Sequence, residues 1–291
     1  MAVVAGVASL ILPIHLGREA VSDLYFDPQP VTIEGYDGVS MEPFISPDGR
    51  FLFFNNSNAR GVHTTIRFAG RTGTYSFKYI GELPGVNSTT FEAVPSLDTG
   101  GHLYFTSFRE YARTLKSTFV GDFDGKRVTN VHPAPGDIWP RHLGAVNMDV
   151  GISPDGSTLY ISRAVFIPPL PLPAPIRSSL VVARLKDGAW EIDPRSGEIM
   201  KNINTRALAY APAISPDGRE LYFTRAGIPG GMRIMVATRR SPDEPFDEPR
   251  VLEALTTGEV EAPTVSTDLS ELFYHKKVAG KWVIFRAIRR R

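Results

Sequence analysis

Four carboxylates and one histidine recur at related places in a chain of 291 residues. Glu42, Glu92 and Asp149 each stand four positions before a serine (Ser46, Ser96, Ser153). Glu261 stands five before Ser266, and Tyr210 holds that same offset before Ser215. All five sit in short apolar runs with the character of β-strands, where acidic residues are disfavoured, so their repetition asks for a cause. One cause is pairing with Arg163, Arg225 and Lys276, which occupy matching places on the following runs and would make an ion-pair network bracing the fold. The other is a site. Several carboxylates around one axis stay ionised only if cations, shared protons or hydrogen bonds compensate them. Hard oxygen ligands suit a divalent cation such as Ca²⁺, with Glu42, Glu92, Asp149 and Glu261 as metal ligands and Asn55 or Asn56 with water completing the shell. Such an ion could polarise an ester or phosphoryl oxygen or activate water, with Glu92, Asp149 and His275 as the catalytic residues that move protons.

His275, in Phe-Tyr-His-Lys-Lys, follows an aromatic run beside the stretch carrying Glu261 and is the preferred base or ligand among the 6 histidines. The alternative for it is a hydrogen-bonded strand histidine. His132 and His142 flank a turn-rich stretch leading towards Asp149, His63 fits equally well packed between elements, and His15 and His102 read as structural or exposed.

The elements that would position these groups come from an internal repeat. Five segments share one pattern: MEPFISPDGRFLFFNN from Met41, FEAVPSLDTGGHLYFTS from Phe91, MDVGISPDGSTLYISR from Met148, YAPAISPDGRELYFTR from Tyr210 and EAPTVSTDLSELFYHK from Glu261. Each is an apolar run, a turn and an alternating aromatic run, which is the pattern of a β-hairpin. In Ser-Pro-Asp-Gly the proline presets φ, Ser or Asp bonds the local backbone, and Gly accepts positive φ. Further strand-like runs follow, including Val62 to Phe68, Tyr75 to Ile80, Thr114 to Val120 and Met232 to Thr238, with no sustained helical period. The sequence therefore predicts an all-β fold, a five-bladed β-propeller of four-stranded antiparallel blades beginning near Met41, Phe91, Met148, Ala209 and Val260. After Trp282 to Ala287 the last unit lacks a fourth strand. Leu24 to Ile33, which has no blade of its own, is expected to supply it and close the ring.

The Ser-Pro-Asp-Gly hairpins resemble the PD40, or WD40-like, repeats of TolB-type propellers over residues 38 to 291. That resemblance implies a bacterial propeller and is nearly silent about activity; TolB itself has six blades. A count of five also resembles glycoside hydrolase propellers, which gather acidic residues in an axial pocket.

With 32 basic against 31 acidic residues the net charge is +1, which gives no general attraction to nucleic acid; only Arg286, Arg289, Arg290 and Arg291 cluster. Zero cysteines exclude disulfides, Cys-ligated zinc and thiol catalysis. No GxSxG elbow, phosphate loop, HExxH helix or GxGxxG turn is present. Residues 1–20 form an apolar N-terminal segment that suits a signal remnant but lacks a preceding cation and is too short to cross a bilayer, so no membrane insertion is expected, and periplasmic, secreted and cytoplasmic residence all stay open. Residues 21–291 form the single propeller domain. The proline-rich Val165 to Arg177 reads as a pocket wall, a docking surface for a protein partner, or a packed loop. The leading expectation is a hydrolase acting on a small-molecule ester or phosphoester in the axial channel with a divalent cation. The alternatives are a non-catalytic TolB-like binding module and a metal-free glycoside hydrolase using paired carboxylates.

Overall fold

A computed structural model describes residues 24–167, 175–228 and 231–290. The expected N-terminal apolar segment and most of the proline-rich loop lie outside the described residues. Five sheets follow one another round a ring. Their innermost strands are Met41–Ile45, Glu92–Leu97, Ala145–Ile152, Leu208–Ile214 and Val260–Val265, close to the starts expected from the repeat. Each pairs antiparallel with the next strand in sequence, and blades two to four continue outwards in the same order.

Blade five closes as expected. Its last strand, Lys281–Arg289, is flanked by Tyr25–Pro30 running antiparallel from the start of the chain, with Tyr25 opposite Arg289 and Pro30 opposite Phe285. The predicted Leu24 to Ile33 run is split at Val31, whose amide donates to the Ile284 carbonyl at 2.8 Å. Thr32–Glu34 then crosses to blade one and adds a short parallel fifth strand beside Ser76–Glu82. Blade three gains a similar parallel addition, Gly136–Asp137 on Ala189–Ile192. The expected strand from Thr114 begins only at Thr118. Tyr111–Thr114 forms a single helical turn ended by Leu115 in the left-handed region (φ 59°), because the buried Tyr111 is anchored by its hydroxyl to the Ala145 carbonyl at 2.9 Å.

Apolar residues from both faces of every sheet gather into five core clusters, one between each pair of neighbouring blades. Phe53, Phe68, Phe105 and Phe119 fill the space between blades one and two, and Tyr160, Leu180, Leu221 and Phe223 that between three and four. Tyr25 reaches from the closing strand into the cluster between blades four and five. A sheet buried on both faces explains why the second strands read as continuous apolar runs, such as Phe51–Asn55.

The turn chemistry is as the motif predicts. The Ser46 hydroxyl donates to Asp48 at 2.6 Å and accepts from the Phe51 amide at 2.9 Å, with Gly49 at φ +71°; Ser153, Ser215 and Ser266 repeat these bonds. In blade two Asp98, not Ser96, takes the serine's place. Its amide bonds the His102 carbonyl and its carboxylate accepts the His102 amide.

Candidate functional site

A bulge interrupts every innermost strand and decides which side chains face the axis. The register shifts between Met41 and Phe44, Ala93 and Ser96, Asn147 and Asp149, Tyr210 and Ala213, and Glu261 and Thr264. In four blades the bulge holds a residue at positive φ followed by proline: Glu42 (50°), Val94 (55°), Ala211 (52°) and Ala262 (52°). A left-handed residue before proline is sterically costly and is kept by the surrounding bonds. Those bonds come from the preceding blade. The Glu42 amide donates to His275 Nδ1 at 2.9 Å, the Ala211 amide to Asp149 Oδ2 at 3.0 Å and the Ala262 amide to Thr224 Oγ1 at 2.9 Å, while the Val94 main chain bonds the Glu42 carboxylate. The bulges are thus stitched blade to blade around the axis.

Three of the four expected carboxylates come together there. The Asp149 charge of blade three acts on Glu42 of blade one and Glu261 of blade five, Glu261 acts on Glu42, and Tyr210 from blade four feels all three. Glu42 Oε1 accepts from Asn58 Nδ2 at 2.6 Å, and Asn58 Oδ1 in turn accepts from Asn55 at 2.9 Å, while Glu42 Oε2 is buried without a partner. Burial first, and the Asp149 charge second, push the Glu42 carboxyl up to about 8. The same two causes raise Glu261 to about 7 against a hydrogen bond from Tyr210, and burial raises Asp149 to about 6 against bonds from Ala211 and Ser162. At neutral pH Glu42 is mostly protonated and Asp149 mostly ionised, with Glu261 between. Neighbouring carboxyls with divided roles are the equipment of acid–base catalysis.

Glu92 is not in this group. Set by the true turn residue Asp98, it stands six positions back, not four, and falls outside the bulge. Its fully buried carboxylate is held by the Ser88 amide (2.9 Å) and the hydroxyls of Ser88 (2.6 Å), Thr90 (3.2 Å) and Ser107 (2.8 Å), with Arg109 3.4 Å away. The structure thus places Glu92 away from the other three, where it pins the loop entering blade two. Replacing it by Gln puts an amide among hydroxyl and amide donors, so we expect Glu92→Gln to lose about 2–4 kcal/mol of stability and to leave any activity of the axial carboxylates unchanged. Denaturant melting beside an activity assay checks this, and a stable but inactive variant would return Glu92 to the site.

The cations expected to neutralise the axis do not. Arg163 donates to the Ile138 carbonyl, Arg225 to the Ile203 carbonyl and Lys276 to the Thr257 hydroxyl. Nor do the acids assemble as metal ligands: among the described residues no group of three or more His, Asp or Glu side chains could hold a metal ion. Glu42 Oε1 and Asp149 Oδ2 already face hydrogen-bond donors, leaving Glu42 Oε2 without a partner, and Asn56 is turned away to the Thr65 amide.

His275 is at the site but in another role. It is fully buried, and burial drives its pKa down to about 3. Nδ1 is occupied as an acceptor, so the neutral ring carries its proton on Nε2 and has no free lone pair with which to act as a base. His63, His132 and His142 are exposed and bond nearby carbonyls. Tyr210 and Asn58 carry more of the site than sequence reasoning assigned them. Tyr210's signal was its place in the repeat, where the other blades offered acids.

From Glu42 a narrow channel of about 60 Å³ follows the axis to the turn face, where Pro47, Pro154, Pro216 and Thr267 rim it. On the opposite face a wider cleft of about 810 Å³ lies between blades four and five, lined by Met232, Arg233, Glu259 and Lys277. None of the three carboxylates lines it; it adjoins their surroundings through Met232, whose Sδ lies 3.3 Å from the Tyr210 hydroxyl, and through Glu259, whose charge acts on Glu261.

No protein-family model matches the chain, and no curated protein does. Solved structures are similar in fold. A family 117 glycoside hydrolase produced by the marine bacterium Zobellia galactanivorans is 13% identical, with a TM-score of 0.60 over 91% of this chain and 90% of that one. An endo-arabinase from Bacteroides thetaiotaomicron is 15% identical, with a TM-score of 0.57 over 90% and 98%. TolB from Acinetobacter baumannii is 11% identical with a TM-score of 0.46; the alignment covers 86% of this chain and 54% of TolB. At such identities the likeness is one of fold.

Proposed function

We propose that this propeller is a metal-independent hydrolase of glycosides, with its site at the axial carboxylates. The observation that carries the reading is the meeting of Glu42, Asp149 and Glu261 from three blades with their proton affinities raised to different degrees by burial and by neighbouring carboxylate charge. Glycosidic cleavage asks for this division: a carboxylic acid that protonates the leaving oxygen and an ionised carboxylate on the other side of the bond. Glu42, protonated at neutral pH, is the general acid. Glu261, nearer to neutrality and partly exposed, is the base or nucleophile. Asp149 supplies the fixed negative charge that keeps both affinities high. The cleft between blades four and five is of a size to hold a small glycan. The glycoside hydrolase and endo-arabinase among the structural neighbours share this architecture and add support at the level of fold. Ester or phosphoester hydrolysis by a bound cation has no comparable support, because the ligand set it needs is not gathered.

The test is a panel of 4-nitrophenyl glycosides and plant and algal oligosaccharides, assayed before and after exhaustive treatment with EDTA. Cleavage of at least one substrate at an unchanged rate after chelation, with an unchanged melting temperature, is the expected result. Activity that disappears with EDTA and returns with Ca²⁺ would overturn the metal-free mechanism, and a panel left wholly intact would overturn the hydrolase.

A further inference from the structure

The imidazole of His275 stands between the main chain of Glu42, assigned as acid, and the carboxylate of Glu261, assigned as base. Its ring is fully buried and held edge-on against Trp282, with centroids 4.8 Å apart and planes at 84°. On one side Nδ1 accepts the Glu42 amide at 2.9 Å, which supports the left-handed bulge that aims the Glu42 side chain at the axis. On the other side Nε2 has no hydrogen-bond partner, although it is buried, and Glu261 Oε2 lies 4.0 Å away. The first bond fixes the second: with its Nδ1 lone pair engaged, the neutral ring presents Nε2–H as a donor. A buried donor without a partner is costly, and catalytic hydrogen bonds that are long in the free protein commonly tighten once substrate is bound.

We propose that His275 is the positioning residue of this site, a neutral donor that orients Glu261 through Nε2–H when substrate closes the 4.0 Å gap while holding the Glu42 bulge through Nδ1. It transfers no proton itself. One rigid ring therefore links the main chain of the acid in blade one to the side chain of the base in blade five. The inference rests on the glycoside-hydrolase reading for its catalytic consequence but not for its geometry, and the two can fail separately.

The geometry is tested without substrate. In ¹⁵N-histidine-labelled protein, the His275 ring should show an unprotonated Nδ1 and a protonated, slowly exchanging Nε2, and Glu261→Gln should move the Nε2–H resonance. A ring protonated on Nδ1, or an Nε2–H resonance indifferent to Glu261→Gln, overturns the proposal whatever the enzyme's activity. The catalytic consequence is tested on whichever 4-nitrophenyl glycoside is cleaved. His275→Leu should lower kcat about 10- to 100-fold with little change in KM, the scale expected for losing one hydrogen bond to a charged group. His275→Gln, which keeps an acceptor and a donor on one planar group, should recover most of it. Equal losses in the folded Leu and Gln variants, or a loss carried by KM alone, would reduce His275 to a packing residue. If His275→Leu does not fold, the Gln variant and the resonance test still decide. Absence of any glycoside cleavage would remove the enzyme reading and leave the hydrogen-bond assignment standing on the spectra.

Discussion

Glu42→Gln and Glu261→Gln should each cut glycoside hydrolysis by about 10²- to 10⁴-fold, the usual cost of removing a general acid or base, while making the fold more tolerant of alkali. Both effects come from the same burial. Glu42, Glu261 and Asp149 have folded pKa values of about 8, 7 and 6 against ordinary values of 4.5, 4.5 and 3.8. Between the ordinary and the raised values the folded protein holds protons that the unfolded chain has released. Their contribution to stability is then fully present below about pH 4 and lost as pH climbs through 6, 7 and 8. A neutral Gln at position 42 abolishes the largest part of that slope. Melting curves at pH 5 and pH 9 should show the native protein losing more stability than Glu42→Gln across the interval; parallel losses would mean that the three carboxyls do not share a buried axis. Asp149→Asn keeps an acceptor for the Ala211 amide and removes the charge that raises both neighbours. Its pH–rate profile should therefore shift to lower pH, and a profile that stays in place would remove Asp149 from the electrostatics of the site.

The second large effect concerns ring closure. Tyr25 is fully buried where the first described strand joins the last: its hydroxyl donates to the Leu269 carbonyl at 2.8 Å, its ring meets Tyr222 edge-on at 5.9 Å, and it packs among Leu272 and Tyr274. Arg289 beside it pairs with Glu220 of blade four at 2.6 Å. Tyr25→Ala removes a large core side chain and loosens the strand that covers the exposed edge of blade five. A loss of about 3–5 kcal/mol is expected, seen as a drop in melting temperature on the order of 10 °C for a domain of this size. Urea titration measures it. A loss below about 1 kcal/mol would show that the ring is closed without this strand.

Most of the architecture was legible because turn chemistry and apolar runs are local. Ser-Pro-Asp-Gly fixes its hairpin from within, and the missing fourth strand after Ala287 could be seen from the length of the last unit. The site was less legible because it depends on register. Counting back from Ser96 put Glu92 in line with Glu42, but the turn in blade two hangs on Asp98, and a shift of two residues carried Glu92 out of the bulge. Glu261, one place out of step with Glu42 in the sequence, reaches the same axis because in both strands the bulge is set by the proline: Glu42 is itself the left-handed residue before Pro43, whereas Glu261 precedes the left-handed Ala262 before Pro263. A ladder that keeps period two would have sent one of the two outwards. The protonation state of His275 was invisible in sequence, since it follows from a single amide offered by a residue 233 positions away.

The channel joining Glu42 to the turn face gives the molecule a sidedness. At about 60 Å³ it has room for roughly two water molecules and none for a sugar ring. The disc is therefore a sieve: solvent can approach Glu42 from the turn face, while a molecule the size of a sugar could reach it only from the side bearing the cleft. Under the proposed hydrolysis the proton that Glu42 gives to the leaving oxygen is balanced by the one taken from the attacking water by the second carboxylate, and the rear duct is a path along which Glu42 and solvent could re-equilibrate while the front is still occupied.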